Sequence, residues 1–264
     1  EGDTSPVKVL FHSLAFGTLR PFIADDPEQT MTTAQMDMTL DVMANSLVYW
    51  TQGLVHSKLM GRGGKVFAVT SAGSQKVLDA IAERKVGDVP PVKVLFHSLA
   101  FGTLRPFIAE DPEQAMTTAQ MDMTLDVMAN SLVYWTQGLV HSNLMGRGGR
   151  IFTVTSAGSQ KVWPYYGAVS AAKSALESHI RQLAMELGPR GISTNALRAG
   201  VTDTPSLRRI PGHEALIDWA KDRNPGGRLT VPEDVAEVVV AMCLNKTDWC
   251  TGNVIGVDGG ENLG

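Results

Sequence analysis

Short apolar runs and longer amphipathic stretches alternate along this chain. Val7 to Phe11 and Val92 to Phe96 are compact runs rich in β-branched residues, the pattern of a strand covered on both faces. A loop follows each, punctuated by Gly17, Pro21 and Pro27 or by Gly102, Pro106 and Pro112. Beyond the second loop, Met121, Leu125, Met128, Leu132 and Trp135 recur at steps of three and four and predict one helix from Thr117 to Leu144. Gly146, Gly148 and Gly149 are its expected stop, and Arg150 to Thr155 reads as another buried strand. Further along, Tyr166 to Leu187 predicts a helix with Leu176, Ile180, Leu183 and Leu187 on one side. Ile192 to Leu197 predicts a strand, Pro232 to Leu244 a helix and Gly252 to Val257 a final strand. Six strands alternating with helices call for an α/β fold, a doubly wound parallel sheet with right-handed crossovers.

The pattern contains a long repeat. Pro6 to Val77 returns as Pro91 to Val162, and the 72 paired positions differ at only six: Asp25/Glu110, Thr30/Ala115, Lys58/Asn143, Lys65/Arg150, Val66/Ile151 and Ala68/Thr153. Solenoids carry many short, diverged repeats with atypical ends, so two long and nearly identical copies are a duplication of one βαβ unit instead. The expected organisation is a single α/β domain over 1–264. The first copy fills 1–77, a linker helix and loop 78–90, the second copy 91–162, and an unrelated C-terminal part 163–264.

Composition narrows the class of function. Hydrophobic residues at 44% and charged residues at 19% suit a folded chain, and a net charge of −4 argues against a nucleic-acid binder with a broad basic face. The densest apolar run, Val238 to Leu244, is far too short to span a membrane. Cys243 and Cys250 fit neither a zinc set nor a disulfide framework, and His97 and His12 have no second ligand at metal-binding spacing. Glu1 to Pro6 carries no signal- or transit-peptide pattern, so a cytoplasmic location is expected.

Chemistry concentrates in the second half. The run Tyr165-Tyr166-Gly167-Ala168-Val169-Ser170-Ala171-Ala172-Lys173 follows Thr155-Ser156-Ala157-Gly158-Ser159 and precedes Asn195-Ala196-Leu197-Arg198-Ala199-Gly200-Val201-Thr202-Asp203-Thr204. With Pro225-Gly226-Gly227-Arg228, Pro232-Glu233-Asp234-Val235 and the closing Val257-Asp258-Gly259-Gly260, this order resembles the second half of the short-chain dehydrogenase/reductase superfamily. The six residues between Tyr166 and Lys173, and the phrase Leu95 to Gly102, are similar to the enoyl-acyl-carrier-protein reductase branch.

The resemblance implies a Rossmann-like sheet and an NAD(P)-dependent oxidoreductase of fatty acid biosynthesis that reduces 2-enoyl thioesters with NADH or NADPH. It also implies roles. Tyr166 would donate a hydrogen bond and proton to the developing enolate, its acidity raised by the Lys173 ammonium, and Lys173 would hold the nicotinamide ribose. The branch's further tyrosine, ten positions earlier, is replaced here by Ser156, which takes the serine role of the wider superfamily. Ser98 and Leu99 fall at the adenosine side, and Ala199, Gly200, Thr202 and Thr204 in the loop that holds the nicotinamide carboxamide and diphosphate. Asn130 is the candidate for the superfamily's helix asparagine, while Arg208 and Arg209 are either carrier-protein contacts or a solvated turn. A homo-oligomer, with or without exchanged segments, is expected from the long helices.

One familiar part is missing. No glycine-rich run of the Gly-x3-Gly-x-Gly kind follows an early strand, and the first copy of the βαβ unit stands where that cofactor half belongs. Either a duplicated unit replaced it, or it lay upstream of Glu1. The alternative to an enzyme is therefore a rearranged, catalytically silent reductase relic that mainly self-associates.

Overall fold

A computed structural model describes residues 9–13, 65–69, 78–79, 81–83, 90–204 and 206–263. Six strands form one parallel sheet: β1 (Val9–Ser13), β2 (Lys65–Val69), β3 (Val94–His97), β4 (Arg150–Ser156), β5 (Ser193–Ala199) and β6 (Val254–Val257). Their spatial order is β2-β1-β3-β4-β5-β6. The chain runs outward from β1 to β2, then returns past β1 to β3 and continues to β6. Strand order thus reverses between β1 and β3, the kind of switch point at which open α/β sheets bind ligands beyond the carboxyl ends of their strands. The helix expected over 32–59 lies outside the described residues.

Strand alternation divides the core into two layers. Leu95, Ile151 and Ala196 face one side of the sheet, and Val94, Phe96, Phe152 and Leu197 face the other. On the first side lie α1 (Thr118–Leu125), a π-helical turn (Asp126–Asn130), α2 (Ser131–His141) and α3 (Gly167–Leu187). Leu132, Leu139, Leu176, Ile180 and Leu187 from these helices close over the strands. On the second side α5 (Pro232–Leu244) contributes Val235, Val239 and Met242. β3 and the first four residues of β4 are buried throughout, on both faces of the sheet, which is why they read as largely apolar runs.

Helix ends follow local chemistry. Thr117 and Gln120 form a reciprocal capping box at the start of α1. At the start of α5, Pro232 needs no N–H partner, and the Asp234 carboxylate accepts from the Val231 amide while pairing through both oxygens with Arg228. The helix expected to run to Leu144 instead stops at His141. Asn143 there takes a left-handed conformation with φ 52°, which asparagine tolerates better than most residues, so the chain turns before it reaches the glycine cluster.

A helix that the pattern did not predict, α4 (His213–Arg223), follows a short 3-10 turn at Leu207–Arg209. Its signals were present: Leu216, Trp219 and Ala220 at helical spacing, Glu214 in the first turn, and Lys221 and Arg223 in the last. Among the described residues, no helix is long and apolar enough to cross a membrane.

Buried polar side chains on β4 face the helix layer. Thr153 Oγ1 lies 3.2 Å from His97 Nδ1, and His97 Nε2 lies 2.8 Å from Ser131 Oγ, so His97 ties β3 to β4 and α2. Arg150, which replaces the first copy's Lys65, donates to the Asn245 carbonyl, Thr247 Oγ1 and Asp248 Oδ1, and so anchors the loop after α5.

Candidate active site

β4 and α3 build the site together. Seven residues make two helical turns within about 20°, so Tyr166 and Lys173 leave α3 on the same face. Tyr166 sits just before the helix with φ −93° and ψ 4°, in the sparsely populated bridge region. Tyr165 before it has φ 64°, a strained value for a tyrosine that swings the loop into the helix start. The approach to Tyr166 is closed by Gly158, where any Cβ would lie 2.6 Å from the phenol ring.

Deeper in α3, Lys173 Nζ donates to the Val154 carbonyl at 2.7 Å, and Glu177 Oε1 accepts from Thr155 Oγ1 at 2.8 Å. Consecutive residues of β4 are therefore held by residues one turn apart on α3. The next strand residue, Ser156, carries a buried hydroxyl with no hydrogen-bond partner of ordinary geometry. It lies close enough to Tyr166 to favour the ionised phenol slightly.

These groups open into a cavity of about 1320 Å³ beyond the carboxyl ends of β3, β4 and β5. Of the residues singled out in the sequence, Tyr166, Lys173, Ser156, Ser98, Ala199, Gly200, Thr202 and Thr204 all line it. Leu99 does not: its side chain is buried in the protein interior. Asn130 does not line it either: its Oδ1 lies 3.2 Å from His179 Nε2, between the π-helical turn and α3. Arg208 and Arg209 stand at the mouth, and Arg208 is held by both carboxylate oxygens of Asp203 at 2.8 and 3.0 Å.

The electrostatics correct one expectation. The Tyr166 phenol is pushed above its ordinary value by burial, which outweighs the Ser156 hydroxyl, and the lysine ammonium does not lower it. Lys173 Nζ is instead directed at the Val154 carbonyl. Burial pushes Lys173 down to about 8, and the Glu177 charge opposes that fall. A neutral phenol at pH 7 is a donor, the state that stabilises charge developing on a carbonyl oxygen.

The loop after β5 is fixed from the far end of the chain by a residue the sequence gave no sign of. The buried Glu261 carboxylate accepts from the Val201 amide at 3.1 Å, across 60 positions. Beside it, a Cβ on Gly200 would collide with Thr230 Oγ1 and lie 3.0 Å from Asp258 Cα. Gly200→Ala is therefore expected to lower stability by about 1–3 kcal/mol, read as a fall in melting temperature.

The donor set suits a dinucleotide: the Ser98, Thr202 and Thr204 hydroxyls and the Lys173 ammonium share one cavity.

Comparison with known proteins points the same way. A family model described as enoyl-(acyl carrier protein) reductase matches residues 78–262. The chain is 31% identical over 173 residues to enoyl-(acyl-carrier-protein) reductase (NADH) FabI of Aquifex aeolicus (strain VF5), covering 64% of this chain and 62% of that protein. It is 30% identical over 180 residues to the L-xylulose reductase of Bos taurus, covering 67% and 71%. The match therefore spans less than two thirds of the FabI relative's length. In fold, the crystal structure of FabI from Candidatus Liberibacter asiaticus aligns with a TM-score of 0.70 at 22% identity, covering 96% of this chain and 95% of that one. With the family model matched across well over half of its residues, the chain belongs to the enoyl-(acyl carrier protein) reductase family of the short-chain dehydrogenase/reductase superfamily.

Proposed function

We propose that this chain is an NAD(P)-dependent reductase of 2-enoyl thioesters in fatty acid biosynthesis. The observation that carries the reading is the convergence of Tyr166, Lys173 and Ser156 on one cavity beyond the strand ends. Ser98 would meet the adenosine side of the cofactor, and Ala199, Gly200, Thr202 and Thr204 its nicotinamide carboxamide and diphosphate, with Lys173 on the ribose. Bound there, the reduced cofactor supplies a hydride for the β-carbon of the substrate.

The chain's own groups manage the charge that follows. As electrons move onto the thioester oxygen, the Tyr166 hydroxyl donates a hydrogen bond to it, and the unpartnered Ser156 hydroxyl is placed to donate a second. The half-buried phenol keeps water from that oxygen and strengthens both bonds. Self-association through the long helices belongs to the same reading.

Titration with NADH and with NADPH, followed by nicotinamide fluorescence, tests the proposal. Saturable enhancement or quenching by one of them is expected. No binding of either at millimolar concentration would contradict it.

A further inference from the structure

The Thr155–Glu177 hydrogen bond has no part in the chemistry above, yet it lies directly behind the site. Glu177 is 8% exposed, an unusual degree of burial for a carboxylate. It sits one turn beyond Lys173 on α3, on the same helix face. Thr155 Oγ1 pins its Oε1 at 2.8 Å, while the ammonium is pinned by the carbonyl of the adjacent strand residue, Val154, at 2.7 Å. In the sequence of the first copy Thr70 matches Thr155, but that copy is followed by Leu78-Asp79-Ala80-Ile81 in place of the segment bearing Tyr166, Lys173 and Glu177.

We infer that Glu177 is a positioning residue, a buried counter-charge locked to β4 one helical turn behind Lys173, where the ammonium is pinned to the adjacent strand residue beside the cavity. The inference rests on the proposed reductase reading for its consequence, but not for its test. Burial and Glu177 act on Lys173 in opposite directions, so removing the carboxylate leaves burial unopposed. Val154 to Ser156 of β4 offer no ionisable side chain. The other ionisable groups facing the cavity are Tyr166 just before α3, Lys161 in the loop leading to it, Glu261 near the chain's end, Glu233 on α5, and Asp203, Arg208 and Arg209 in the segment after β5. None of these contributes to the Lys173 shift, so Glu177 is the charge to remove.

The test is an NMR titration of the Lys173 side chain in the full-length protein without cofactor or substrate. In Glu177→Gln the Lys173 midpoint is expected to fall by at least about one pH unit below the wild-type value. Glu177→Asp, which keeps the charge, is expected to restore most of that shift. Should the amide variant fail to fold, Glu177→Met leaves no orphan polar group in the interior, and the same fall is expected. A Lys173 midpoint unchanged in the Gln or Met variant overturns the inference. In the reductase assay the alkaline limb of kcat/KM should move down by the same amount. Wild-type protein that reduces no enoyl thioester would overturn the proposed function, while the titration alone would still decide the role of Glu177.

Discussion

Tyr166→Phe is expected to lower turnover of a 2-enoyl thioester by about 10²–10³-fold, the loss typical when one pre-positioned donor to a developing oxyanion is removed. The substitution deletes only the hydroxyl. The ring keeps its place against Gly158 and at the start of α3, so melting temperature and cofactor affinity should change little. KM should also hold, because the hydrogen bond matters most when charge is on the oxygen. The raised phenol pKa adds a sign to this prediction. Wild-type activity should show no alkaline limb from the phenol near neutrality, since the group stays protonated well above pH 7. Steady-state kinetics of both proteins from pH 6 to 9, with their thermal melts, would check each part.

Lys173→Met should do two opposite things: abolish most activity and make the protein more stable. The lysine titrates at about 8 in the fold and at 10.5 in the unfolded chain. Between those values the unfolded state binds more protons, so wild-type stability should rise as pH climbs from about 8 to 10.5. Below pH 8 the full cost of burying the ammonium is present, about 3 kcal/mol. Methionine removes that cost but gives up the hydrogen bond to the Val154 carbonyl, worth about 1 kcal/mol. A net gain of roughly 1–3 kcal/mol at pH 7 is expected, shrinking towards pH 10.5. Denaturant unfolding of both proteins across that range would measure it. A stability cost tied to the Lys173 ammonium is the trade expected where the proposed site needs a charge that the fold does not.

Much of the architecture was legible because β3 and the start of β4 are buried on both faces and so carry short, mostly apolar runs, as in Val94 to Phe96 and Ile151 to Val154. The pairing of Tyr166 with Lys173 was legible for a related reason: seven positions on a helix return to the same face, and spacing alone encodes that. What escaped depends on contacts between distant segments. Glu261 reaches Val201 across 60 positions, and Thr155 reaches Glu177 from a different element, with no local pattern marking either. The direction of the Tyr166 shift was misjudged because spacing places an ammonium near a phenol but says nothing of where Nζ points. Helix α4 was missed because its apolar positions are few and flanked by Pro211, Gly212 and Pro225, which read as loop. Family order named Leu99 and Asn130 as site candidates, and their side chains pack outside the cavity lining.

The central claim is that Tyr166 and Lys173 act on one substrate in one cavity. The most direct measurement is the loss of nicotinamide absorbance when the full-length wild-type protein is mixed with a short 2-enoyl thioester and either NADH or NADPH. The account predicts steady oxidation of one cofactor, slowed at least a hundredfold in Tyr166→Phe. Oxidation at equal rates in the two proteins, or none in the wild type with either cofactor, would contradict it.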